Sequence, residues 1–180
     1  AAWAQNDDFV QYQLDNGLTV YLWEDHDQPD VQGWTVTRAG SIDEPADATG
    51  LAHYLEHMLF KGTDRIGALD WAKEKPLYEQ IIALYDTLAL TTDDQAREAV
   101  QLRINEVSRE AAQYAATDEF SNLIQGIGGE GLNAFTSYDV TCYMNSFPSY
   151  QMERWLTLYA DRLTNPVFRS FQAELENVFE

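Results

Sequence analysis

The chain has 180 residues, a net charge of −19 and a pI near 4.2, with 45% apolar and 13% aromatic side chains. That apolar supply is enough for a packed core and argues against disorder, while no apolar run approaches the roughly 18 residues that span a bilayer. So negative a balance argues against a nucleic acid, whose phosphates need a basic stripe, and against an anionic membrane surface.

From the N-terminus, Ala2-Trp3-Ala4 fits the small-residue box at which secretory leaders are cut, so a periplasmic or secreted location is expected. The alternating runs FVQYQL and LTVYLW flank Asp15-Asn16-Gly17, which predicts a hairpin. VQGWTVTRAG, residues 31–40, reads as a third strand. The polar stretch SIDEPADATG then leads into a helix, with Asp47 or Thr49 as its N-cap. Apolar residues at helical spacing predict two further helices. One, over 69–90, carries Leu77, Ile81, Leu84, Tyr85 and Leu88; the other, over 96–115, carries Val100, Ile104, Val107, Ala111 and Tyr114. These stripes are packing faces.

GIGGEG, residues 126–131, reads as a loop without the lysine and hydroxyl residue of a phosphate loop. LNAFTSYDVTCYMNSF predicts two strands turning at residues 137–139. Cys142, the single cysteine, permits no internal disulfide and reads as a small buried apolar residue. A helix capped at Ser149 follows, with Met152, Trp155, Leu156, Tyr159 and Leu163 on one face, and Asn165-Pro166 ends it. SFQAELENVFE is helical in propensity. Antiparallel strands with helices gathered between them give an α+β fold in a single domain, residues 1–180.

GLAHYLEHMLFKGT, residues 50–63, carries the chemistry. Four helical residues turn through about 400°, so His53 and His57 project side by side. Neutral imidazoles are favoured zinc ligands, and Glu56 lies in the same arc, where it reaches a water without ligating the metal.

The order His53-x-x-Glu56-His57 is that of the inverzincins. With LNAFTSYDVTCY and ADRLTNPVFRSFQAELENVFE, it resembles the first domain of the M16 metallopeptidases, from about residue 9 onward. The resemblance implies an antiparallel sheet with helices packed on it. It implies Zn²⁺ held by His53 and His57, Glu56 as general base, and an edge strand at Asn133, Ala134 and Phe135 to which a peptide adds. It also implies Glu174 as a second glutamate supporting catalysis. The third zinc ligand, a glutamate seven residues later, falls at position 181, one past the end of this chain, and Glu180 points about 100° away from that direction. The helices between the motif and the edge strand look like an insertion, at about residues 68–118.

The resemblance further implies a longer protein in which a second, homologous half or subunit encloses a peptide or unfolded polypeptide. The expected function is that of a zinc endopeptidase, with this chain alone inactive. The alternative expectation is a non-catalytic binding or scaffold subunit of the same fold. The acidic balance would suit basic peptides.

Overall fold

In the computed structural model, which describes residues 9–116 and 118–174, chain order begins with the hairpin of β1 (Phe9–Gln13) and β2 (Thr19–Trp23), paired from Phe9↔Trp23 to Gln13↔Thr19. Asn16 and Gly17 form the turn, where the Asn16 side chain accepts from the Leu18 N–H at 3.1 Å. The next strand, β3 (Asp30–Thr37), does not extend this hairpin. It belongs to a second antiparallel sheet of order β3-β5-β4, with β4 spanning Glu130–Thr136 and β5 spanning Thr141–Pro148. The predicted hairpin around residues 137–139 is therefore the centre and one edge of that sheet.

The helices are α1 (Leu51–Met58), α2 (Trp71–Leu90), α3 (Asp94–Ala111), α4 (Glu119–Gly126) and α5 (Met152–Thr164). Both long stripes are inward, and Ile104 and Val107 are wholly buried. Asp93 caps α3 by accepting from the Ala96 N–H at 2.9 Å. The ends of the α2–α3 excursion meet: Ala68 bridges Ala115, and Leu69 N–H donates to the Tyr114 carbonyl at 2.8 Å.

Register decides which sheet face is packed. Ala134 and Tyr143 are paired and turn toward the core, where Tyr143 and Phe147 meet Phe120, Ile124, Trp155 and Tyr159. Trp155 lies 4.9 Å from the Phe147 ring and 4.2 Å from the Tyr159 ring, both stacked. Gly33 makes this possible, because a Cβ there would come within 2.4 Å of Trp155 Cζ2. The opposite face carries Trp34, Val36 and Phe135, all well exposed.

Several sequence expectations need correcting. α4 was not foreseen, and Glu130 and Gly131 of the supposed glycine loop are strand. Ser149 begins a short 3₁₀ turn (Ser149–Gln151) instead of capping α5. On α5, Leu156 and Leu163 face outward, and the buried position after Trp155 and Tyr159 belongs to Arg162. Its guanidinium sits 4.1 Å from the Tyr143 ring centre and 4.3 Å from that of Phe60, and its Nε donates to the Leu59 carbonyl at 3.0 Å. Burial pushes its pKa down to about 10, which leaves it charged near neutrality.

Candidate active site

Helix α1 is held at its start by a nearby carboxylate and beyond its end by a residue distant in sequence. Neither Asp47 nor Thr49 caps it; Gly50 occupies the cap position at φ 88, a left-handed conformation that costs glycine little. The cap oxygens come from Glu44, which accepts from Gly50 N–H and Ala52 N–H, each at 2.8 Å. A carboxylate on those first amides also complements the helix dipole.

Beyond the C-terminal end of α1, Arg169 grips the chain. Its guanidinium donates to the carbonyls of Lys61 at 3.1 Å, Thr63 at 2.7 Å and Ile66 at 3.2 Å. Its Nε also donates to Glu74 at 2.5 Å, which ties the start of α2 to the same turn. Thr63 donates to buried Asp161 at 2.7 Å.

On this braced helix His53 and His57 stand edge to face, with their Nε2 atoms 3.2 Å apart. His57 Nδ1 lies 2.8 Å from Glu174 Oε1, and Lys61 Nζ lies 2.5 Å from Glu174 Oε2. An ionised carboxylate only accepts, so His57 Nδ1 carries the proton, and in the neutral tautomer its Nε2 presents a lone pair toward His53. Two such nitrogens need something between them: one shared proton, or a cation that both can ligate. Burial raises the Glu174 pKa, but hydrogen bonds from Lys61 and His57 outweigh it and hold the carboxyl below its ordinary range.

The helical segment that delivers Glu174, residues 171–174, is itself pinned. Tyr54 of α1 donates to the Phe171 carbonyl at 2.6 Å, and Tyr85 of α2 donates to Gln172 at 3.2 Å. Burial raises the pKa of both phenols, which keeps them as donors.

Glu56, between the two histidines in the motif, is buried and accepts from Thr136 Oγ1 at 2.5 Å. Thr136 ends β4, whose only sheet neighbour among the described residues is β5, so its outer edge holds unpaired backbone groups. An open cleft of about 620 Å³ lies between α1 and this strand, lined by His53, Glu56, Ala134, Phe135 and Tyr138, with Glu44 at the helix start. Asn133 is exposed and pairs with Met144.

The structure thus brings together His53, Glu56, His57 and Glu174, with Ala134 and Phe135 across the cleft. Glu180 lies outside the described residues. Sequence reading missed Thr136, Lys61 and Glu44. Lys61 had a signal, since it follows His57 at the same spacing of four that separates the histidines. The contacts of the other two join segments with no shared periodicity.

Among the described residues, no group of three or more His, Cys, Asp or Glu is arranged to hold a metal. The histidine pair nonetheless fits two corners of a zinc site. Tetrahedral zinc with nitrogens at about 2.0–2.1 Å sets two ligand atoms about 3.3 Å apart, close to the separation of the Nε2 atoms here.

Known proteins share both sequence and fold with this chain. The model of the family described as Insulinase (Peptidase family M16) matches residues 19–74. The Probable zinc protease PqqL of Escherichia coli is 23% identical over 98% of this chain and 14% of its own length. Protease 3 of the same species is 40% identical over 33% of this chain and 6% of its own. Among solved structures, the periplasmic protease PqqL from E. coli matches with a TM-score of 0.61 at 21% identity, over 98% of this chain and 15% of that one. A protease from Helicobacter pylori matches with a TM-score of 0.60 at 19% identity, over 94% of this chain and 28% of that one. These two likenesses establish the fold. This chain spans less than a third of the length of each of these relatives.

Proposed function

The chain is related to the M16 peptidases, and from that premise we propose that it is the zinc-bearing segment of an endopeptidase. The observation that carries the proposal is the paired Nε2 atoms 3.2 Å apart, with Glu56 on the same helix and an open strand edge across the cleft. His53 and His57 would hold Zn²⁺, which at such a site supplies Lewis acidity for peptide hydrolysis.

The chain's own residues do the rest. Glu174 holds the proton of His57 on Nδ1, which keeps the Nε2 lone pair available. Glu56 takes the proton from the attacking water. Its Oε2 is engaged by Thr136, so Oε1 is the oxygen that does so. The edge at Asn133, Ala134 and Phe135 aligns the peptide as an added strand, by backbone contacts that tolerate many side chains. The third ligand would be the glutamate that the resemblance sets seven residues after Glu174, and the opposing wall would come from a second M16-like half or subunit of a longer protein. The α2–α3 hairpin is an insertion beside this core. The periplasm is the proposed location, following the relative described as periplasmic.

The test is Glu56→Gln in the full-length protein loaded with zinc. The variant should keep its metal and lose hydrolysis of unfolded polypeptides. Retained hydrolysis would overturn the assignment of the base. A wild-type protein that binds peptide and zinc without turnover would establish a scaffold subunit instead.

A further inference from the structure

We infer that Thr136 is a positioning residue that ties the general base to the strand on which substrate is aligned; this rests on the proposed peptidase function. The direction of its hydrogen bond follows from counting protons. Thr136 Oγ1 lies 2.5 Å from Glu56 Oε2 and 3.4 Å from Thr141 Oγ1. Thr141 spends its single proton on the Ala39 carbonyl, at 3.0 Å. A hydroxyl has one proton to give, so that of Thr136 goes to Glu56. A hydroxyl donating to a carboxylate at this length is a short, charge-assisted bond.

Its place in the strand gives the bond a use. Along β4 the side chains alternate: Asn133 and Phe135 are on the exposed face, Ala134 and Thr136 on the helix side. The peptide-pairing backbone at 133–135 is therefore followed at once by the side chain that grips Glu56. A peptide seated on the edge takes its position from β4, and so does the base. The carboxylate cannot rotate about its last bond without losing Thr136, so Oε1 keeps one direction relative to the aligned peptide. Misplacement of a reacting group by about 1 Å costs on the order of 100-fold.

The test uses the full-length, zinc-loaded protein with Thr136→Val, which keeps the shape and removes the donor, and Thr136→Ser, which restores it. Thr136→Val should lower kcat by about 10- to 100-fold with KM within about twofold, and Thr136→Ser should recover most of the loss. Zinc affinity should stay within about twofold, since Thr136 touches neither histidine. A readout independent of turnover is a double-mutant cycle of Thr136→Val and Glu56→Ala on the unfolding of metal-free protein, since alanine leaves no acceptor for the hydroxyl. It should give a coupling of about tenfold in the unfolding constant.

A Thr136→Val enzyme with kcat within about threefold of wild type, or a cycle without coupling, would overturn the inference. Equal loss in the serine variant would do so as well. Hydrolysis by Glu56→Gln would instead bring down the underlying reading. Loss in Glu56→Gln with full activity in Thr136→Val would reject only the role of Thr136.

Discussion

Replacing Glu174 by glutamine separates two roles for that carboxylate. It is 8% exposed, 2.8 Å from His57 Nδ1 and 2.5 Å from Lys61 Nζ, so it accepts from two donors at once. A carboxamide has one accepting end. If its oxygen faces His57, its NH₂ opposes the Lys61 ammonium. If it faces Lys61, the NH₂ pushes the His57 proton onto Nε2, where a metal would sit. Either arrangement weakens His57 as a ligand, and loss of the carboxylate behind a metal-binding histidine costs about 10- to 100-fold in affinity. That corresponds to about 1.4–2.7 kcal/mol. The assay is zinc titration into the metal-free full-length protein against a competing chelator, with hydrolysis measured at saturating zinc. An affinity within about twofold of wild type would refute the orienting role. Unchanged affinity with lost hydrolysis would mean that Glu174 acts in the reaction itself.

Two further outcomes are expected. Arg169→Met strands Glu74, 2% exposed, without its cation and takes donors from three carbonyls, so it should cost about 3–5 kcal/mol; Glu74→Met/Arg169→Met should recover part of the thermal stability, and equal melting temperatures of the two variants would contradict this. Burial raises the Asp161 pKa, but hydrogen bonds from Arg65, Thr63 and Asn165 outweigh it, so the folded value lies below that of the unfolded chain. The stabilisation is therefore complete above the unfolded pKa of about 3.9 and is lost as pH falls through the folded value. The stability gap between wild type and Asp161→Asn should be constant from about pH 5 upward and shrink below about pH 4, and a gap that widens on acidification would reject the ion pair with Arg65.

What could be read from the sequence was whatever a local period encodes. The spacing of four between His53 and His57 forces them onto one helical face, and the alternation in β4 and β5 gives the hairpin that borders the cleft. Contacts that define the site join segments with no such period: Thr136 meets Glu56 across 80 residues, and Arg169 reaches the Lys61 carbonyl across 108. The cap of α1 was misplaced because Asp47 and Thr49 are suitable by type, whereas Glu44 reaches the same amides by folding back across a turn. On α5, Leu156 and Leu163 fit the apolar stripe, yet Arg162 takes the buried position because four aromatic rings surround its guanidinium. Helix α4, of eight residues, lies between a break and a glycine-rich turn and offers too few periods to register.

The contact between His57 and Glu174 spans 117 residues, and that distance sets an order of events during synthesis. At about 5–20 residues per second, His57 is made roughly 6–23 s before the ribosome adds Glu174. Through that interval the carboxylate that holds the Nδ1 proton of His57 is absent. The order of synthesis thus completes the proposed metal-binding pair well before the carboxylate that orients it.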